Sequence, residues 1–225
     1  MIGHTPYPQG VASVASGTCV NEKIPSLWEV DPKAFKYAVA SGHESVLEHC
    51  TFTFAIGGIS RACSHQLVRH RMASYSQQSQ RYVKMDEFEY VTPESFMTTV
   101  TDDYWNTESS DNSTLASEEF ESLMEVIGEL YERMIRAGIP EEDARYVLPN
   151  ACTTNIVVTM NARELRHFFN LRCCNRAQWE IRELADRMLE LCKETCPILF
   201  EDAGASCVAT GRCPEGKKSC GKVKE

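Results

Sequence analysis

Residues 69–82 read RHRMASYSQQSQRY, a basic and amide-rich segment within an acidic chain. Three basic residues stand side by side and are followed by four hydroxyl side chains, three glutamines and a further arginine. No carboxylate interrupts the segment, although the chain holds 32 Asp and Glu residues against 23 Lys and Arg. Arginine binds phosphate through paired hydrogen bonds, and Ser and Gln supply neutral ones. The segment therefore predicts a site for a phosphorylated or otherwise anionic small molecule; the alternative is a solvated arginine-rich turn.

Size and composition are those of an ordinary soluble globular protein. The chain has 225 residues, of which 43% are hydrophobic and 24% charged, enough to bury a sizeable core. Its formal net charge of -9 argues against non-specific binding to nucleic acid or to anionic membranes. The N-terminus lacks a secretory signal and no apolar run is long enough to span a bilayer, so we expect a cytoplasmic protein.

The 11 cysteines are odd in number, and several are scattered through segments with the composition of a core. These are Cys19, Cys50, Cys63 and Cys152. The pattern favours reduced, buried thiols over a disulfide framework.

Residues 203–225 form a separate Gly- and Cys-rich tail. Its cysteines, Cys207, Cys213 and Cys220, lack the Cys-x-x-Cys pairs typical of zinc sites. We assign no metal ligand in the chain. Three roles for the tail stay open: a structural metal site, a disulfide or a plain loop.

Hydrophobic periodicity predicts an α+β fold, with a small mostly antiparallel sheet packed by helices. The strongest helix signal covers residues 117–137, where Ser117 would cap the helix and Gly138 would end it. A second long helix is expected at 177–195. The other predicted elements are a strand at 50–56 closed by Gly57-Gly58, a helix at 59–72, a loop at 74–82 entering a strand near 82–83, a strand at 155–160 and a helix capped by Asn161.

The helix after Asn161 would carry a second polar surface. Arg163, His167 and Asn170 share one face, at steps of four and three residues. Such residues are common on protein surfaces, but beside a basic loop they suit a dinucleotide, which needs several separated polar contacts. The chain contains neither Gly-x-Gly-x-x-Gly nor a Walker-type loop, so side chains would have to hold any such cofactor.

The basic segment closely resembles the signature of the flavin-dependent thymidylate synthases: Arg-His-Arg, seven residues, Ser, one residue, Arg. Here these positions are Arg69–Arg71, Ser79 and Arg81. Further blocks match in order and at fitting separations over roughly residues 31 to 200. They are His43–Ser45 with Glu48-His49, Ala144-Arg145 before Val147–Pro149, Asn161–Arg163 with His167 and Asn170–Arg172, and Ala177–Arg182.

The resemblance implies reductive methylation of dUMP to dTMP. Methylenetetrahydrofolate would be the carbon donor, FAD the hydride carrier and NADPH the reductant. The family is typically a homotetramer whose active sites are shared between subunits. We therefore expect an extended lead-in at 1–30, a single catalytic domain at 31–202 and the tail at 203–225.

Matching positions imply the site residues. The substrate dUMP would be bound by Gln66, Arg69, Gln77, Gln78, Ser79, Gln80, Arg81, Arg145 and Arg172. The cofactor FAD would be bound by Ser45, Arg69, His70, Arg71, Gln77, Asn161, Arg163 and His167.

Arg172 is the expected catalytic residue. Methylation at C5 of uracil requires that carbon to become nucleophilic, and addition at C6 achieves this. A permanent cation beside the pyrimidine would stabilise the negative charge that develops. Ser79 is assigned to binding, because no base or oxyanion donor for it can be named. The cysteines are treated as structural.

Two departures from the family pattern concern charge. Ser76 and Gln77 stand where members often have Asn and Glu, and Arg176 stands where some have His. An amide at Gln77 would keep hydrogen bonding but lose acid–base chemistry. Together with the tail, this motivates an alternative, a nucleotide-sensing or metal-binding regulatory protein. A flavoprotein that methylates uracil in RNA is disfavoured by the acidic charge.

Overall fold

The computed structural model describes residues 1–29, 31, 36, 37, 39–85, 88–101 and 113–222. Their contacts group into two compact units. The first unit comprises Met1–Ile56, His65–Ser76 and Ile156–Glu225, and the second comprises Gly57–Ser64 and Gln77–Asn155. None of the described helices combines the length and hydrophobicity needed to cross a lipid bilayer.

The described strands form two sheets. The larger has the order β1-β2-β6-β3 and the smaller pairs β4 with β5. The strands are β1 Gly3–His4, β2 Thr51–Ser60, β3 Ala73–Gln77, β4 Thr99–Thr101, β5 Ser113–Leu115 and β6 Thr153–Asn161.

Helices surround the larger sheet in the sequence order. They are α1 Pro8–Thr18, α2 Arg61–Leu67, α3 Ala116–Arg136, α4 Glu141–Ala144, α5 Ala162–Arg172, α6 Trp179–Thr195, α7 Pro197–Phe200 and α8 Ser206–Thr210. Short 3-10 helices cover Glu44–His49, Glu94–Met97, Arg145–Val147 and Gly216–Lys218. The predicted class, an α+β fold with a small antiparallel sheet and helices, is confirmed.

The strand signal at 155–160 is confirmed in β6. Thr154, Ile156, Val158 and Met160 are buried at every second position, as expected of a strand with one face in the core. In the first unit a cluster of aromatic rings completes this core. Phe52 lies against Phe200, with ring centroids 5.3 Å apart.

The second unit has its own core around α3. Tyr131 is fully buried, together with Met85, Ala144 and Cys152. The Tyr131 hydroxyl accepts a hydrogen bond from the Met85 backbone at 3.3 Å, so this buried polar group is satisfied. The long predicted helix is confirmed, but it begins at Ala116, and Ser117 is buried in its first turn instead of capping it.

The lead-in at 1–30 is not extended throughout, because α1 occupies Pro8–Thr18. Proline suits the first helical position, since its missing N–H would have no partner there. Glycine at position 10 is required by packing: a Cβ would lie 2.2 Å from the Tyr7 ring. The high Gly and Pro content that predicted an extended segment thus reflects a helix start and a close contact.

The strand from residue 50 and the helix after it also differ from the prediction. Strand β2 runs on through Gly57-Gly58 to Ser60, and Gly58 adopts a φ of +73°, which glycine tolerates. Helix α2 then begins at Arg61, where the Ser60 hydroxyl accepts the Cys63 N–H at 3.0 Å as a cap. It ends at Leu67, so Arg69 lies beyond the helix.

The predicted loop at 74–82 contains a strand, and the predicted strand near 82–83 is wrong. Strand β3 covers Ala73–Gln77, and a turn follows in which the N–H groups of Tyr82 and Val83 both point to the Ser79 carbonyl oxygen. The missed signal was alternation, because Ala73, Tyr75 and Gln77 are half-buried between exposed serines.

The thiol prediction is confirmed except at one position. Cys50, Cys63 and Cys152 are buried and all described cysteines are free, but Cys19 is exposed beyond the end of α1. Burial raises the pKa of the Cys50 thiol to about 12, which keeps it protonated and unreactive.

We expect two glycines of α3 and its end to respond in opposite ways to alanine. Gly138, just beyond the helix, has a φ of +85°, so Gly138→Ala should lower the free energy of unfolding by about 1 kcal/mol. Gly128 lies inside the helix, where a Cβ would meet only Phe88 at 3.8 Å, so Gly128→Ala should raise it by about 0.5–1 kcal/mol. Urea denaturation measures both; equal effects would contradict the assigned conformations.

Candidate active site

Helix α5 is positioned by the residue that precedes it. Asn161 ends β6 in an extended conformation, and its side-chain oxygen accepts the Glu164 N–H at 2.9 Å. This confirms the predicted cap. It also places the Glu164 carboxylate in the first turn, where the helix dipole favours a negative charge.

A buried chain of hydrogen bonds links Glu164, His70 and Arg172. His70 is only 5% exposed, and its Nδ1 atom lies 3.1 Å from the Glu164 carboxylate. The Arg172 Nε–H donates to His70 Nε2 at 3.2 Å. Because Nε2 accepts this bond, the imidazole carries its proton on Nδ1 and donates it to Glu164. His70 is therefore neutral, and it holds the guanidinium in place.

The surroundings of His70 support the neutral form. Burial lowers its pKa; the hydrogen bond to Glu164 opposes this, and the charge of Arg172 lowers the pKa further. The ring packs edge-on against Phe168, with centroids 4.9 Å apart. The imidazole therefore has little freedom to turn.

Two further contacts fix this region. The Tyr75 hydroxyl lies 2.8 Å from the carbonyl oxygens of both Leu67 and His70, and burial raises its pKa to about 12. The Arg172 Nη2 group reaches the Gln66 carbonyl oxygen at 3.5 Å. Gln66, a predicted dUMP ligand, thus contributes its backbone to the placement of Arg172.

The basic motif splits into an inward and two outward residues. His70 is buried, whereas Arg69 and Arg71 on either side are exposed. Neither arginine forms an ion pair with a residue in the described ranges. Their guanidinium groups are therefore available for an external anion.

A pocket of about 430 Å³ in the first unit collects several of the predicted FAD ligands. Asn161, Arg163 and His167 all line it, as does Arg166, and Ser45 is exposed beside the lining residue Glu44. The pocket supplies guanidinium, imidazole and amide groups. This donor set fits the phosphates and polar rings of a dinucleotide.

Carboxylates already hold the central cation of this pocket. Arg163 pairs with Glu44 at 3.3 Å and with Glu48 at 2.5 Å. All three side chains are about half exposed, so the pairs exchange readily with solvent and other anions. A bound phosphate would take the place of one carboxylate.

In the second unit, the predicted dUMP ligands Gln77 and Gln78 are held in polar contacts. The Gln77 amide donates to the hydroxyls of Ser64 at 3.0 Å and Thr154 at 3.2 Å. The Gln78 side-chain oxygen accepts two bonds from Asn155. Both glutamines are therefore fixed before a ligand binds. Gln80, by contrast, makes only a weak contact of 3.7 Å with the Cys152 sulfur.

Two predicted phosphate ligands meet at one acidic residue. Arg81 pairs with the Glu142 carboxylate at 2.9 Å, and the Arg145 Nε–H donates to the Glu142 carbonyl oxygen at 3.0 Å. The Ser79 hydroxyl accepts the Arg81 N–H at 3.2 Å, which shapes the turn that carries Arg81. The sequence prediction of a shared anion site at these residues agrees with this convergence.

The prediction omitted three residues that organise these sites: Glu164, Tyr75 and Glu142. Glu164 stands three residues after its cap, a position typical of a capping box, and so carried a local signal. Glu142 and Tyr75 carried none, because their partners are distant in the chain or on its backbone.

These features define an α+β protein with a fixed, partly buried guanidinium and separate arginines directed at anionic ligands. A family model described as "Thymidylate synthase complementing protein" matches residues 1–198. The match includes the lead-in and stops within the last described helices.

Proteins from several organisms are similar along nearly their whole length. The chain is 49% identical over 233 residues to the flavin-dependent thymidylate synthase of Geobacter sulfurreducens, covering 100% of this chain and 94% of that protein. The corresponding values are 47% over 238 residues, 100% and 93%, for the protein of Clostridium tetani. They are 43% over 243 residues, 99% and 93%, for that of Nitratidesulfovibrio vulgaris. The chain belongs to this family, and the resemblance noted in the sequence is confirmed.

We predict that Glu164→Ala is more damaging than Glu164→Gln. The amide keeps an oxygen that accepts the Nδ1–H of His70, whereas alanine lets the proton move to Nε2, where it meets the Arg172 N–H. Alanine should lower the free energy of unfolding by about 1–3 kcal/mol, the cost of an unsatisfied buried group, and glutamine by less. Urea denaturation measures the energies, and ¹⁵N NMR of histidine reports the tautomer. An Nε2–H tautomer in the unmodified chain would refute the assignment.

Proposed function

We propose that the chain catalyses the reductive methylation of dUMP to dTMP. Methylenetetrahydrofolate supplies the carbon, NADPH is the reductant and FAD is the bound cofactor. Membership of the flavin-dependent thymidylate synthase family carries the reaction class. The observation in the chain itself that best supports it is the fixed guanidinium of Arg172, which suits a reaction that builds negative charge on a pyrimidine.

The protein's part in this chemistry is electrostatic. Bound flavin supplies the hydride. As C5 of the uracil becomes nucleophilic, negative charge spreads towards the ring oxygens and nitrogen. Arg172 stabilises that charge, and because His70 and the Gln66 carbonyl hold it beforehand, little reorganisation is needed during the reaction. Its remaining N–H groups are directed to the substrate.

The anionic groups of the ligands would be bound by exchange of ion pairs. The dUMP phosphate displaces Glu142 from Arg81, with Arg145 beside it. The FAD phosphates displace Glu44 or Glu48 from Arg163. Gln77, Gln78, Ser79 and Gln80 contribute neutral hydrogen bonds to the nucleotide, and His70, Arg71, Asn161 and His167 belong to the cofactor side.

We further propose that the protein acts as a homotetramer in the cytoplasm. In an assembly of four chains, residues from different copies complete each active site. The ligand groups assigned above are spread over several chain segments, which suits such sharing. The regulatory alternative would instead give a colourless protein that binds dUMP without turnover.

Tritium release from C5-labelled dUMP tests the proposal, with methylenetetrahydrofolate and NADPH present. We expect release that depends on added FAD, and a yellow protein whose colour bleaches with NADPH. Arg172→Ala should keep the flavin absorbance but lower the turnover number by at least about a hundredfold, because one preorganised charge contact is worth roughly 3 kcal/mol or more. Arg172→Lys keeps the charge and should retain more activity.

Arg187→Ala is the matched control for this experiment. Arg187 is an exposed arginine of the first unit that pairs only within α6, with Glu183. Its loss should leave turnover unchanged. Full turnover in Arg172→Ala would refute the catalytic role, and FAD-independent release in the unmodified chain would refute the proposed chemistry.

We also predict opposite effects of variants at Arg81 and Glu142 on dUMP binding. Arg81→Ala removes a charged contact with phosphate and should raise the KM for dUMP roughly tenfold or more. Glu142→Gln removes the competing carboxylate and should lower that KM. Arg136→Ala is the control, since Arg136 pairs only with Glu132 on the surface of α3. Steady-state kinetics decide, and an unchanged KM in Arg81→Ala would contradict a phosphate contact.

A further inference from the structure

Five of the 11 cysteines line one small pocket of about 50 Å³ in the first unit. They are Cys173 and Cys174, directly after α5, and Cys207, Cys213 and Cys220 of the tail. All five are free thiols, and none is fully buried. The cysteines treated as structural in the sequence are therefore gathered at one place, outside the candidate active site.

Two residues after the helix connect Cys174 to the end of the tail. The Arg176 guanidinium donates to the carbonyl oxygens of Lys218 at 2.6 Å and Ser219 at 3.0 Å. The Arg176 N–H contacts the Cys174 sulfur at 3.5 Å, and the Asn175 amide contacts the Cys220 sulfur at 3.7 Å. The same short segment thus holds both thiols.

Cys220 is the more reactive end of this arrangement. It is exposed, and the Lys222 backbone N–H, with help from Asn175 and Arg176, lowers its pKa. The neighbouring Cys173 differs, since burial and the nearby Asp186 carboxylate raise its pKa. Thiolate character and exposure together favour attack by Cys220.

A metal site is a poorer interpretation of the same pocket. In the part of the chain that the structure describes, no three His, Cys, Asp or Glu side chains are grouped so as to hold a metal ion. Disulfide chemistry requires only two thiols. Of the roles left open for the tail, thiol–disulfide chemistry is the one these contacts favour.

We propose that Cys220 and Cys174 form a reversible disulfide that closes when a hydroperoxide oxidises Cys220. The Cys220 thiolate attacks the peroxide, the O–O bond breaks, hydroxide leaves and a sulfenic acid forms. The Cys174 thiol then attacks that sulfur, the S–S bond forms and water leaves. A dithiol reductant returns two electrons and two protons and restores both thiols.

The bond would tie the tail to the segment that follows the catalytic helix. Cys174 lies two residues beyond Arg172, and Cys173 is the C-cap of α5. The modification site itself does not depend on the proposed enzymatic activity, and it can be tested without substrates.

The test is treatment of the reduced full-length protein with hydrogen peroxide, followed by mass spectrometry of unreduced peptides. We expect a disulfide between Cys174 and Cys220 that a dithiol reverses. In Cys174→Ser, Cys220 should stop at the sulfenic acid, which dimedone traps. In Cys220→Ser, oxidation of Cys174 should slow by about tenfold, because the attacking thiolate is lost.

Cys19→Ser is the matched control, since Cys19 is the other exposed cysteine but lies outside the pocket. It should leave the rate and the product unchanged. Thermal unfolding of each variant checks that it is folded. A disulfide from Cys220 to Cys207 or Cys213, a bond between chains, or a Cys220 that reacts no faster than Cys19 would overturn the proposal.

Discussion

The hydrogen-bonded chain from Glu164 through His70 to Arg172 is the interaction on which the candidate site depends. A buried imidazole is stable only when both ring nitrogens have partners, and here each partner is a charged group of α5. The two bonds join the basic motif to that helix and set the direction of Arg172. The motif therefore needs a histidine between its arginines: the histidine faces inward and fixes a cation, while Arg69 and Arg71 face solvent.

Charge balance explains how an acidic protein can present sites for anionic ligands. Glu44 and Glu48 hold Arg163, and Glu142 holds Arg81. These exposed pairs are worth little in water, so a phosphate, which forms stronger paired bonds with arginine, can replace the carboxylate. The acidic residues keep the arginines in place when no ligand is bound, and the net charge of -9 is no obstacle to binding nucleotides at these positions.

The two departures from the family pattern have separate physical settings. The Gln77 amide donates to Ser64 and Thr154, and the Ser64 hydroxyl in turn donates to the Arg61 carbonyl oxygen at 2.9 Å. A carboxylate at position 77 would find an oxygen whose hydrogen is already used, so an amide suits this site. Arg176 serves the tail instead, because its guanidinium binds the carbonyls before Cys220.

The sequence alone determined features whose signals are local. The alternation in β6, the Asn161 cap, the end of α3 at Gly138 and the spacing of the basic motif each depend on a few adjacent residues. Tertiary structure decided the rest. Glu164 and His70 are 94 positions apart and Arg81 and Glu142 are 61 apart, so no short pattern reveals those pairs. Strand β3 likewise depends on its sheet neighbours, because serines and glutamines have weak strand preference until a partner strand accepts their backbone.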